Sequence, residues 1–227
     1  MLWADRVSFR YAADAPLVAV STGTNNVFPR AVEATVAGWA AGLVATGKAP
    51  LVQVARRAKV LSVAVGDLES LALVDVALVD GRFEGSRAVW APESVREVVA
   101  AIAEPDVVGL SAIAAAWLPL GRHEAGAVHV RLGAGDRRRC AIGPGVFVGV
   151  EADRAEVVPD GGSVDLTGPG VLAFDGERDH RLAAGDVARV TVRRDGPRSR
   201  AQPRILPVED EEISALALKA FTKQGMK

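Results

Sequence analysis

Residues 171–194, VLAFDGERDHRLAAGDVARVTVRR, decide the fold class that this sequence predicts. The stretch contains three short runs rich in apolar and β-branched residues, VLAFDG (171–176), HRLAAG (180–185) and VARVTVRR (187–194). Runs of this length, separated by Gly and Asp turn residues, are typical of antiparallel strands. The stretch therefore predicts consecutive strands of a sandwich or a barrel.

The same pattern of short apolar runs separated by turn residues extends upstream as far as Gly109. Further strand candidates recur at similar spacing, namely AVHVRL (127–132), RCAIG (139–143), VFVGVEA (146–152), EVVP (156–159) and SVDL (163–166). His129 alternates with Val128 and Val130, and we expect it to face solvent from a sheet. The basic run DRRRC (136–140) is interpreted as a solvated turn. Most of the chain after Gly109 is therefore predicted to be β-structure.

Two more strands are predicted in AKVLSVAVG (58–66) and SLALVDVALVDG (70–81), and SRAVWA (86–91) is predicted to return beside the second. Asp75 has the same parity as Ala77 and Val79, so we expect it to be buried and to need a partner. A buried carboxylate is either a site residue or half of a structural ion pair. The residues alone leave both interpretations open.

A helix is predicted after residue 91. Pro92 suits the first helical position, and the residues that would form one apolar face are Val95, Val98, Val99 and Ile102. The helix should end before Pro105, because proline disfavours helical geometry in the residue ahead of it.

The front of the chain predicts one strand, one loop and one helix. PLVAV (16–20) is predicted to be a buried strand, and STGTNNVFP (21–29) is a loop of small polar residues. A helix follows and stops near Gly47, with an apolar face of Val32, Val36, Trp39, Ala40 and Leu43. The loop suits either an oxyanion such as phosphate or a tight turn that caps the helix.

Composition excludes several classes of function. The 227 residues carry a formal net charge of −1, which provides no global field for nucleic acid. Cys140 is the only cysteine, so neither an internal disulfide nor a cysteine-based zinc site can form. No secretory leader and no 18-residue uncharged run is present, so we expect a cytoplasmic protein without a membrane span.

These patterns predict an α+β chain in three parts. Residues 1–50 are assigned to the remnant of an αβ domain, residues 51–205 to a β-rich sandwich domain, and residues 206–227 to a C-terminal helix. One strand and one helix cannot cover both faces of a parallel sheet. We therefore expect the αβ domain to lack an upstream part.

The chain resembles the ATP-NAD kinase family, and within it the AcoX-type branch. The motifs that carry the resemblance occur in order: STGTNNVFP with EATVAGWAAGLVATG, DVALVDGRFEGSRAVW, VVGLSAIAA, IGPGVFVGV and GPGVLAFDGER. The resemblance implies a two-domain kinase fold with a β-sandwich of the NAD kinase and diacylglycerol kinase type. It also implies ATP and NAD as substrates, with Mg²⁺ as the cofactor.

The resemblance also implies roles for individual residues. Nucleotide phosphates would contact Thr22, Gly23, Thr24, Asn25 and Asn26. Asp75 would orient the acceptor nucleoside, and Ser111, in the segment similar to Gly-Ser-Thr-Ala-Tyr, would also bind the substrate. Asp175 or Glu177 would bind metal or take the hydroxyl proton, although the residues alone favour a plain hairpin turn at Asp175-Gly176.

Departures from the family pattern keep other functions open. The family's Gly-Gly-Asp-Gly-Thr loop is absent from the sequence, Val74-Asp75 replaces Asn-Glu, and Ile113 replaces an aromatic residue. The alternatives are a non-catalytic nucleotide-binding module, half of a split kinase, and a lipid kinase suggested by Asp-Gly-Glu. The resemblance also implies a homo-oligomer.

Overall fold

A computed structural model describes residues 16–18, 20, 33–81, 92–143, 145–176 and 178–200. The helices are α1 (Ala34–Ala45), α2 (Leu51–Val54) and α3 (Leu110–Trp117), with a 3₁₀ turn at Pro92–Ser94. The strands are β1 (Ala55–Arg57), β2 (Val60–Val65), β3 (Leu68–Ala72), β4 (Asp75–Val79), β5 (Val95–Ala100), β6 (Ala127–Gly143), β7 (Val146–Val158), β8 (Ser163–Thr167), β9 (Gly170–Phe174), β10 (Arg178–Leu182), β11 (Val187–Arg193) and β12 (Arg198–Arg200).

The chain divides into two units at Arg57/Ala58 and at Gly196/Pro197. In the first unit, β1 pairs with β12 in an antiparallel ladder. The predicted helix is confirmed as α1, and Gly47 follows it with a φ of 70°. Trp39, expected in the core, is 51% exposed. Pro16, in the predicted strand 16–20, forms an isolated bridge to Arg198.

The second unit is a sandwich of two antiparallel sheets. The larger sheet has six strands in the order β10-β9-β4-β5-β6-β7, and the smaller has four in the order β3-β2-β11-β8. Helix α3 packs on the other face of the larger sheet, against β5 and β6. The predicted α+β class with a β-rich domain is therefore confirmed.

Two apolar layers hold this unit together. The layer between the sheets contains Leu61 and Val190 from the smaller sheet and Leu78 and Phe174 from the larger. The layer beneath α3 contains Ala77 and Val79 of β4, together with residues of β5, β6 and the helix. Because successive residues of β4 point to opposite faces, this strand contributes to both layers.

The helix predicted from Pro92 to Ile102 is wrong beyond its first turn. Val95–Ala100 is strand β5, which pairs with β4 on one side and β6 on the other. Val98 and Val99 are both fully buried, on opposite faces. A strand covered on both faces shows no polar alternation, so the valine spacing there also fits a helix.

The single strand predicted at residues 70–81 is two strands in different sheets. β3 belongs to the smaller sheet and β4 to the larger, and the chain crosses between them at Leu73 and Val74. The run contains no Gly or Pro at that point. The interruption therefore has no local signal.

The strands predicted between residues 127 and 159 merge into one long hairpin of β6 and β7. The run 136–140 lies within β6 rather than in a turn. His129, predicted to face solvent, is 6% exposed and lies between Glu97 and Glu156 at 2.8 Å and 3.3 Å. Two neighbouring strands supply these carboxylates, a pairing that the sequence of β6 alone does not reveal.

Among the described ranges, no helix is long and apolar enough to cross a membrane. The predicted strand at residues 86–91 and the predicted C-terminal helix at 206–227 lie outside those ranges.

Candidate functional site

Asp75 opens β4, which lies between β9 and β5 in the larger sheet. All five residues of β4 are buried, and Asp75 is 7% exposed. Its parity matches Ala77 and Val79, which pack in the layer beneath α3. The prediction that Asp75 is buried is therefore confirmed, and its carboxylate needs a partner on the side of the helix.

Ser111 provides that partner from the first turn of α3. Its Oγ donates a hydrogen bond of 2.9 Å to Oδ2 of Asp75, and the serine is 4% exposed. The helix begins after Gly109, whose φ of 93° favours glycine and whose N–H donates to the Ala141 carbonyl at 2.9 Å. The structure thus brings together the two residues predicted to bind substrate.

The second carboxylate oxygen of Asp75, Oδ1, is buried without a hydrogen-bond partner among the described residues. Such an unsatisfied buried atom costs roughly 1–3 kcal/mol, and more when the group is charged. Because most buried polar atoms are paired, an exception indicates a place where a ligand or water completes the bonding. Oδ1 is therefore suited to accept a hydrogen bond from a ligand N–H or O–H group.

The electrostatic environment of Asp75 is unfavourable to its charge. Burial raises the pKa of Asp75 to about 7, and the negative charge of Asp175 adds to the increase, whereas the Ser111 hydrogen bond lowers the pKa. The side chain is therefore divided between acid and carboxylate near neutral pH. A group with such a pKa can exchange a proton with a bound hydroxyl at neutral pH.

Asp175 follows β9 and turns the chain into β10, as the predicted hairpin requires. It adopts a φ of 52°, which is uncommon outside glycine. Its carboxylate accepts hydrogen bonds from the backbone N–H groups of Leu73 at 2.9 Å and Val74 at 2.8 Å. Asp175 therefore lies against the segment from which β4, and with it Asp75, begins.

Arg178, to which the sequence analysis assigned no role, opens β10 beside this turn. Its guanidinium donates to Ser70 Oγ at 2.7 Å and to the Leu71 carbonyl at 2.5 Å, and lies 5.1 Å from the Phe174 ring centre. Its Nε is buried and unpaired among the described residues. Arg178 thus adds a cation beside β3, and its only sequence signal is its place in the motif GPGVLAFDGER.

The remaining predicted site residues lie outside the described ranges: Thr22, Gly23, Thr24, Asn25, Asn26 and Glu177. Ile113, which stands where the family has an aromatic residue, is 1% exposed and packs with Cys140 and Val150. The candidate site that the structure describes therefore consists of Asp75 and Ser111, with Asp175 held against the backbone of Asp75.

Comparison with known proteins places this chain in a family. Residues 59–195 match the family described as Acetoin catabolism protein X C-terminal domain. The chain is 33% identical over 197 residues to Acetoin catabolism protein X of Cupriavidus necator. This alignment covers 82% of the present chain and 55% of that protein. The chain thus spans about half the length of this curated relative.

A solved structure shares the fold at low sequence identity. The crystal structure of yeast NADH kinase complexed with NADH matches with a TM-score of 0.50 and 12% identity, over 82% of this chain and 54% of that chain. At this identity the likeness concerns the fold alone. The sequence matches show that the chain belongs to the acetoin catabolism protein X family, and the structural match shows that it shares the fold of yeast NADH kinase.

Proposed function

We propose that this chain binds a nucleotide at Asp75 and Ser111 and serves kinase-type transfer of a phosphoryl group from ATP to a hydroxyl of NAD or a related small substrate. The observation that carries the proposal is the buried, unpaired Oδ1 of Asp75. A nucleoside hydroxyl is a hydrogen-bond donor that would satisfy this atom. The family and the fold support a kinase-like protein.

The proposed role of Asp75 is to orient the acceptor hydroxyl. Ser111 fixes Oδ2 by its 2.9 Å hydrogen bond, so that Oδ1 remains for the ligand. A pKa of about 7 allows the same carboxylate to take the hydroxyl proton as the acceptor oxygen bonds to phosphorus and ADP leaves. Positioning and charge neutralisation supply most of the rate enhancement in phosphoryl transfer.

The phosphate contacts remain a prediction for residues 22–26. Mg²⁺ in nucleotide sites is held by phosphate oxygens and by one or two carboxylates. In the part of the chain that the structure describes, no group of three or more His, Cys, Asp or Glu side chains could hold a metal ion. Asp175 also directs its carboxylate at backbone N–H groups. We therefore assign none of the described carboxylates to the metal.

A second candidate function is nucleotide binding without turnover, or with turnover only beside a second chain. The observation that favours it is the lack of a Gly-Gly-Asp-Gly-Thr sequence in these 227 residues. Such a loop holds the phosphate that is transferred, and it accelerates the transfer by positioning and electrostatic stabilisation. The two candidates share the Asp75 site and differ only in chemistry.

Calorimetric titration of the purified chain with NAD and with ATP, separately, tests the binding proposal. We expect NAD to bind, and Asp75→Asn to weaken its affinity by about tenfold or more, since one hydrogen bond to a charged group contributes about 1.5–3 kcal/mol. Asp165→Asn, on the exposed face of β8, is the matched control.

An assay for NADP formed from ATP, NAD and Mg²⁺ then separates the candidates. Turnover supports the kinase, and binding without turnover supports the non-catalytic module or the split kinase. Absence of both NAD binding and turnover contradicts the proposal.

A further inference from the structure

The carboxylate of Asp175 binds the backbone of the segment that leads into β4. Besides Leu73 and Val74, the Asp75 N–H approaches Asp175 Oδ1 at 3.3 Å, and the Leu73 N–H also lies 3.2 Å from Oδ2. Oδ1 of Asp175 thus accepts from three successive N–H groups, which lie about 100 positions earlier in the chain. A side chain that gathers successive backbone donors determines the path of those residues.

The interaction runs in both directions. The Asp175 N–H donates to the Asp75 carbonyl at 3.0 Å, so each residue holds the backbone of the other. This reciprocal bonding lies where the chain crosses from β3 in the smaller sheet to β4 in the larger. Leu73 and Val74 lie between the two strands, and Leu73 is fully buried. Without Asp175, its N–H would be buried unpaired at a substantial cost.

We propose that Asp175 is a positioning residue whose carboxylate holds residues 73–75 so that Asp75 meets Ser111, and that it does not take the substrate proton. The inference rests on the proposed function of Asp75 as the acceptor-binding residue. A general base must offer a lone pair to the substrate, whereas both carboxylate oxygens of Asp175 are directed at backbone N–H groups. Protonation of Asp175 would weaken its hydrogen bonds to the backbone of residues 73–75 and so its hold on the site.

The experiment compares Asp175→Ala with Asp175→Asn. Asparagine keeps one carbonyl oxygen that can accept from Leu73 and Val74, whereas alanine keeps none. Asp165→Ala and Asp165→Asn are matched controls on an exposed strand. Amide hydrogen exchange of residues 73–75 in the ligand-free protein reports the hold on the backbone, and NAD titration reports the site.

We expect Asp175→Ala to lower the exchange protection of residues 73–75 by about tenfold or more, and NAD affinity by a similar factor. Asp175→Asn should restore most of both. If turnover is measurable, Asp175→Asn should also recover kcat, whereas loss of a general base typically costs about 100-fold or more in kcat. A variant that recovers protection but not affinity or kcat overturns the proposal, because charge or proton transfer is then the function of Asp175.

Hydrogen exchange separates this inference from the proposed function. If wild-type protein binds no NAD, the function fails, yet unchanged protection in Asp175→Ala would overturn the positioning role independently. Thermal melting of each variant shows whether it is folded. If Asp175→Ala does not fold, Asp175→Asn decides the question. A positioning acceptor predicts near-native protection and NAD affinity, whereas a role in charge or proton transfer predicts near-native protection with loss of affinity or kcat.

Discussion

Asp75 and Lys59 are both buried ionisable residues of the β-rich unit, and their surroundings differ. Lys59 is 2% exposed, and its Nζ donates to the Gly121 carbonyl at 3.0 Å. The pKa of Lys59 is lowered to about 8, mainly by burial and also by Arg194, while three carboxylates of opposite charge act in the other direction: Asp160, Glu124 and Glu104. The ammonium group thus has both a hydrogen-bond acceptor and compensating charges.

Among the described residues, no opposite charge compensates Asp75 in this way. The charge of Asp175, which has the same sign, raises its pKa, and one of its oxygens has no partner among the described residues. A buried charge with a complete set of partners is typical of a structural role, whereas an incompletely paired one indicates a functional site. The comparison therefore indicates that Asp75, unlike Lys59, lowers the stability of the fold because it is incompletely paired. The predictions below test this difference.

The largest effect is expected from Asp75→Asn. A raised pKa means that the folded state holds a proton that the unfolded state releases, so wild-type stability falls as pH rises from about 4 to about 7. Asparagine does not titrate. The difference in unfolding free energy between the variant and the wild type should therefore be more favourable to the variant at pH 8 than at pH 4, by up to about 4 kcal/mol. Urea unfolding at both pH values measures this gain.

The same variant should lose NAD affinity, so stability and binding would move in opposite directions. A gain in stability at pH 8 without loss of affinity would make Asp75 a structural residue like Lys59. Equal stabilisation at pH 4 and pH 8 would contradict the raised pKa.

The next largest effect is expected from Lys59→Met. A lowered pKa means that the unfolded state binds a proton more tightly, so wild-type stability should rise as pH increases from about 8 to about 10.5. Methionine removes that rise, which amounts to between about 1 and 3 kcal/mol. Lys48→Met, at an exposed position, is the matched control. Denaturant unfolding across this pH range measures the slopes, and a slope unchanged by Lys59→Met would contradict the prediction.

Much of the β-rich unit was predictable because its signals are local. Turn residues separate β8, β9, β10 and β11, and the predicted runs overlap these strands. β5 was mistaken for a helix because a strand buried on both faces carries no alternation. Helix α3 was not predicted from its pattern, since eight small or apolar residues give no amphipathic stripe.

The candidate site was predictable only in part. The parity of residues 75–79 predicts a buried Asp75. The family resemblance assigned Ser111 to the substrate but did not predict its hydrogen bond to Asp75. The crossing at Leu73 and Val74 is held by Asp175, roughly 100 residues away, and no local pattern records such a contact. Long-range pairing of polar groups is the information that periodicity lacks.

A smaller effect is expected from Ser111→Ala. The Ser111 hydrogen bond is the contribution that lowers the pKa of Asp75. Its loss should raise the titration midpoint of the Asp75 carboxyl above about 7, by on the order of one pKa unit, and destabilise the protein by about 1 kcal/mol at pH 8. Carboxyl ¹³C chemical shifts measure the midpoint. Ser163→Ala, which removes an exposed hydroxyl pair with Thr191, is the control. An unchanged midpoint would mean that Ser111 does not hold Asp75 in solution.

The smallest effect is expected from Asp165→Ala, which completes the comparison at the surface. Asp165 accepts two hydrogen bonds of 2.9 Å from Arg189, and this interaction lowers the pKa of the carboxyl. Both carboxylate oxygens of Asp165 are hydrogen-bonded, unlike those of Asp75. Both partners are exposed, however, so solvent and salt screen the attraction. The melting temperature should change by less than about 2 °C. A loss comparable to the effects at Asp75 or Lys59 would show that burial is not what distinguishes those residues.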